Sequence, residues 1–190
     1  MGGRSGQSIN NSGGGGESLV GGSMSFVENK IRSQNFESAA LYDKDGKQTF
    51  FVDGQSSTVK VDNEQYKDFL SKSKGAIFTH NHPSGGSFSG QDVYTLMTTG
   101  LSEMRAVGSG EFQGVKLEKI TYSLKINGKQ RKKPETIKKD VKTIFDLVQS
   151  AGYKVTNNKE DFIKYTHKTY REKVKQYLEK NGFEYNETIN

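Results

Sequence analysis

The most restrictive stretch of this chain is residues 75–92. It opens with Gly75-Ala76-Ile77-Phe78-Thr79, a short apolar run of the kind that forms a buried strand. The run continues without a break into His80-Asn81-His82-Pro83. A Gly/Ser-rich loop, Ser84–Ser89, comes next. Residues 90–99 then carry Val93, Leu96 and Met97 at helical spacing. Any fold that accepts this stretch ends a buried strand on two histidines and starts a helix a few residues later. Side chains two apart on a strand point to the same side. His80 and His82 therefore face one way, and Pro83 ends the strand. Ser89 is a natural N-cap for the helix, which puts Asp92 in its first turn.

Those residue types point to a metal. The chain has no cysteine, which excludes disulfides, thiolate zinc sites and a cysteine nucleophile together. Histidine and carboxylate remain as ligands. Two imidazoles from one strand face and Asp92 from the next element make three, the number that catalytic zinc sites draw from protein beside a water.

The same residues carry a family resemblance. Glu37, then His80-Asn81-His82-Pro83, a short loop and Ser89-Gly90-Gln91-Asp92 resemble the JAMM (MPN+) metal-dependent peptidases. The likeness is closest to bacterial RadC-like proteins and to JAMM-like domains of bacteriophage head-associated proteins. It spans roughly residues 36–124. The loop from Pro83 to Ser89 is one residue shorter than the commonest family spacing, while Ser-x-x-Asp is intact. The resemblance implies an MPN, cytidine-deaminase-like architecture and a Zn2+ ion held by His80, His82 and Asp92. It implies Glu37 as the general base that hydrogen-bonds the hydrolytic water, and Ser89 as a support for the tetrahedral intermediate. The implied activity is that of a zinc metalloprotease or isopeptidase acting on a protein or peptide substrate. The implied setting is the cytoplasm of a bacterial host cell, or a virion, with a phage structural protein among the partners.

Around this stretch the chain divides into three by composition. Residues 1–23 hold nine of the 22 glycines and read as a flexible Gly/Ser-rich tail or linker. Residues 24–126 read as the JAMM-like domain. A short helix is expected over 24–34, strands over 36–42 and 48–52 around an Asp43-Lys44-Asp45-Gly46 turn, and a third short strand at 59–61. Asp62 or Asn63 caps a helix over 64–72, and 104–107 and 111–126 read as further strands. Residues 127–190 read as a basic helical C-terminal extension, with helices from Pro134 to Gly152 and over 158–181. The fold class expected is α+β (α/β-like), a mixed β-sheet flanked by helices.

Charge sets a second hypothesis beside the enzyme. Residues 125–180 carry 16 Lys/Arg against 7 Asp/Glu, within a net charge of +6 for the chain. The alternative is a catalytically silent structural or assembly module that contacts nucleic acid through these helices. Against that, the basic run Lys129–Lys133 reads as a solvated face, and Tyr165, Tyr170 and Tyr177 read as core or helix-pairing residues. His167 reads as exposed. No apolar run approaches the roughly 20 residues that span a bilayer, so no membrane partner is expected.

Overall fold

The computed structural model describes residues 18–54 and 62–190. The elements in chain order are α1 (Met24–Ile31), β1 (Ser38–Tyr42), β2 (Gln48–Asp53), α2 (Asn63–Ser73), β3 (Ile77–His82), α3 (Gly90–Thr99), β4 (Glu103–Gly108), β5 (Glu111–Phe112), β6 (Val115–Lys116), β7 (Ile120–Ile126), α4 (Pro134–Val155), α5 (Lys159–Lys180) and β8 (Phe183–Ile189). The expected strand at 59–61 lies outside the described residues. Six strands form one sheet in the order β2-β1-β3-β4-β7-β8, and β5-β6 is a separate small hairpin. The β3–β4 pair is parallel and the other pairs of the large sheet are antiparallel. This is an α+β fold with a mixed sheet flanked by helices.

Strand periodicity sorts the side chains to two faces. Leu41, Met104, Ala106 and Leu124 face one way and form the larger core with α2, α3, α4 and α5. Ala40, Tyr42 and Val107 face the other way, against Val27 and Ile31 of α1. His80 and His82 share a face with Phe78, which packs on the larger core. The two histidines therefore look toward the helix α3 that follows them. That helix starts on a capping box between Ser89 and Asp92 and stops at Gly100, whose φ of 78° is left-handed and suits glycine.

The last third of the chain is built into this core. The strand β8, in a stretch expected to be part of a helical extension, extends the sheet beyond β7. The α4 helix crosses α3 so closely that a Cβ on Gly90 would sit 2.4 Å from the Lys138 carbonyl oxygen. The sheet and core thus continue across the boundary expected at 126/127. At the other end, Leu19 of the expected tail accepts a hydrogen bond from Gln48 Nε2 at 3.1 Å. Among the described residues, no helix is long and apolar enough to cross a membrane.

Candidate metal centre

β3 delivers His80 and His82, and the first turn of α3 delivers Asp92. All three are largely buried. His80 Nε2 lies 3.3 Å from Asp92 Oδ1, and His82 Nε2 lies 3.4 Å from Asp92 Oδ2. The two Nε2 atoms are 2.8 Å apart. One ligand atom from each residue falls within 4.8 Å of the others. Ligands about 2.0–2.1 Å from a tetrahedral zinc stand roughly 3.3–3.4 Å from one another. The two His–Asp separations match that spacing, and the His–His separation would open by about half an ångström on binding.

The donor chemistry also fits a cation. His82 Nδ1 contacts the Gly86 carbonyl at 2.9 Å. A proton on Nδ1 leaves the Nε2 lone pair of a neutral ring aimed into the cluster, and the carbonyl that holds this proton fixes the ring's orientation. Asp92 is fixed too: the Ser89 amide donates to Oδ2 at 2.7 Å, and the Asp92 amide donates to Ser89 Oγ at 3.2 Å. His80 departs from this pattern. Its buried Nδ1 has no hydrogen-bond partner among the described residues, and its ring packs on Phe78.

Electrostatics holds the cluster together. Burial pushes the His82 imidazole down, but the adjacent Asp92 outweighs it by hydrogen bond and charge. The Gly86 carbonyl and Glu37 add to this, and the net is a rise to about 9. Burial likewise pushes Asp92 up, and the two histidines overcome it to keep the carboxyl well below its ordinary range. A proton on His82 therefore does, weakly, what a divalent cation would do at the same place.

Glu37 stands just before β1. The pairing Ala39 with His80, continued two residues, sets Glu37 opposite His82. It lines both clefts that reach His82 and Ser89. Asn81, between the two histidines, fixes it there. It is fully buried and bonds across to β1. Its Oδ1 accepts from the Ser38 amide at 2.6 Å, and its Nδ2 donates to the Phe36 carbonyl at 2.8 Å. Those partners flank Glu37. The signal was present: the middle residue of His-x-His faces away from the two imidazoles, to the other side of the strand.

The loop 83–89 is held, despite its glycines. Ser109 Oγ donates to the Pro83 carbonyl, Tyr122 to Gly85 and Tyr170 to Phe88, and Ser87 Oγ meets the Tyr185 hydroxyl at 2.6 Å. Tyr170 and Tyr185 come from α5 and β8, so the C-terminal third fixes the loop between the ligands. His167 is also corrected. It lies largely buried against this loop, where burial, aided by Arg171 and opposed by a hydrogen bond to the Ser84 backbone, pushes it down to about 4. It is a neutral imidazole on the cleft wall.

The chain matches no family model, no curated protein and no solved structure.

Proposed function

We propose that this chain is a JAMM-type zinc metallopeptidase or isopeptidase that hydrolyses an amide bond. The observation that carries this is the convergence of His80, His82 and Asp92 at ligand spacing, in clefts that Glu37 and Ser89 also line. His80, His82 and Asp92 would hold Zn2+. Bound there, the ion supplies Lewis acidity, lowering the pKa of water toward about 7 and polarising the amide carbonyl. Glu37 takes the proton of the attacking water and returns it to the leaving nitrogen. The Ser89 hydroxyl already accepts from the Asp92 amide and keeps its own proton to donate to the developing oxyanion. Asn81 and the buttressed loop keep these groups in place. The substrate is a protein or peptide, and the setting is the cytoplasm of a bacterial host cell or a virion.

The test is zinc content together with cleavage of a panel of amide substrates. Wild type should bind one zinc and cleave. Glu37→Gln should keep the zinc and lose about 10²–10⁴-fold in rate, the usual contribution of a general base. Equal rates in both would sink the mechanism.

A structural or assembly role is favoured by one separate observation. Lys116, Lys164, Lys168 and Arg171 line a cleft of about 580 Å³ on the far side of His167. A module that contacts nucleic acid through it would bind DNA in a salt-sensitive way, and binding would survive His80→Ala with His82→Ala. Arg171 is already bonded to Glu118, and Lys164 to Glu160, which leaves two of the four cations for such a contact.

A further inference from the structure

Two clefts meet at the candidate centre. The first, about 500 Å³, runs toward α2 and is walled by Phe50, Tyr66, Phe69, Phe78 and Tyr94. The second, about 420 Å³, runs toward the C-terminal helices and is walled by Phe112, Phe145, Phe162, Ile163 and Tyr170. Glu37, His82 and Ser89 line both. A chain laid across those three residues enters one cleft on each side of the point of attack. Each cleft is large enough for a bulky side chain with its flanking backbone, since pockets of about 300–1,000 Å³ take drug-sized ligands.

The walls also say what they would take. Among the described residues, and apart from the site residues Glu37, His80, His82 and Asp92, no charged side chain lines the first cleft. The second has Lys142, already paired with Asp146 at 2.7 Å, and the neutral His167. A charged side chain entering either cleft would shed water against walls made mostly of rings and aliphatic groups, which is costly. An aromatic or large aliphatic one would bury its surface against rings, which is favourable.

We propose that the substrate is an extended polypeptide with a bulky apolar side chain on each side of the cleaved amide, one seated against α2 and the other against α4 and α5. This rests on the hydrolase function proposed above. It gives the C-terminal helices a part in substrate choice, beyond their part in holding the 83–89 loop.

The test uses the full chain loaded with zinc and carrying Glu37→Gln, with labelled peptides whose central pair is Phe-Phe, Phe-Asp, Asp-Phe or Ser-Ser. Equilibrium binding is read by fluorescence anisotropy. Phe-Phe should bind at least about tenfold more tightly than either single Asp peptide, the scale on which apolar pockets discriminate. Phe162→Ala should remove the preference at one position and Tyr66→Ala at the other. Tyr66 is 50% exposed and Phe145 is 38% exposed, so Tyr66→Ala and Phe145→Ala keep the test open if Phe162→Ala fails to fold. Equal affinity for Phe-Phe and Ser-Ser, or variants that weaken both positions alike, would overturn the proposal. Cleavage by wild type is scored separately. Binding with the stated preference but no cleavage would support the ligand class and overturn the hydrolase; cleavage without preference would do the reverse.

Discussion

The two faces of the sheet bury polar groups in opposite ways. On the α1 face, Glu28 binds Arg105 through Nε at 2.6 Å and through Nη2 at 3.1 Å, and takes the Thr79 hydroxyl at 2.9 Å. Arg32, the C-cap of the same helix, donates to the Gly108 and Ile120 carbonyls and to Thr121. Each charge there has its partner within the protein, so the network is closed and structural. On the α3 face, two imidazole nitrogens stand 2.8 Å apart beside one carboxylate, and a third ring nitrogen has no partner among the described residues. In that cluster the charge of Asp92 is met by the proton that it favours on His82. Buried ionisable groups are therefore not equivalent evidence of function: imidazoles and a carboxylate brought together at ligand spacing say more than a closed ion pair.

The sharpest way to break the comparison is to open the closed face. Glu28→Ala leaves Arg105 with Glu103 alone and removes the Thr79 acceptor. It should cost about 3 kcal/mol of stability, the low end for breaking a buried pair, because Arg105 is partly exposed. Zinc stoichiometry should not change. Chemical denaturation beside zinc titration checks both halves, and loss of zinc binding would mean the faces are not independent.

Asn81→Ala should cost less, about 2 kcal/mol, by stranding the Ser38 amide and the Phe36 carbonyl. Zinc affinity should hold, whereas kcat should fall with little change in KM, because Glu37 is left unfixed. A loss of zinc without a change in kcat per bound metal would place Asn81 with the ligands instead.

The pH dependence follows from His82. Its folded pKa is about 9 against an ordinary 6.5, so protonation stabilises the metal-free protein. That contribution is complete below about pH 6.5 and is lost as pH rises through 9. Asp92 is shifted the other way, so its contribution is present above its ordinary 3.8 and is lost only well below that pH. Zinc must displace the His82 proton. Apparent zinc affinity should therefore rise about tenfold per pH unit up to roughly 9, close to 1.4 kcal/mol per unit. Isothermal titration in buffers of different ionisation heat would count the proton released, and release of none at pH 7 would refute the coupling.

The smallest effect separates the two roles of Ser89. Ser89→Ala should lower stability by about 1 kcal/mol through the lost cap, and Ser89→Asp, an equally good cap, by little. Both should lose activity, because neither side chain donates a proton to the oxyanion. Full activity in Ser89→Asp would reduce Ser89 to a cap.

Much of this is legible in the sequence, for physical reasons. The His-x-His spacing fixes a common face once the run before it is a strand, and Ser-x-x-Asp closes as a capping box, as it does at the start of α3. Asp62 likewise caps α2. What was not legible depends on contacts distant in sequence. The alternation Phe183, Tyr185 after Asn181-Gly182 is a strand signal, but it is short and its partner β7 lies some 60 residues back. His167 sits in a run of charged residues that reads as solvated, and it is buried only because Gly85 and Phe112 come to meet it. The C-terminal helices read as an appendage because their apolar stripes do not name the surface they cover. That surface is α3 and the loop beside it.

The central claim is that His80, His82 and Asp92 form a metal site. Anomalous scattering at the zinc edge, from crystals grown at saturating zinc, tests it most directly. The expected result is one peak bonded to His80 Nε2, His82 Nε2 and an Asp92 oxygen, with the two Nε2 atoms moved apart from 2.8 Å to about 3.3 Å. No peak there, with the imidazoles still in contact, would contradict it.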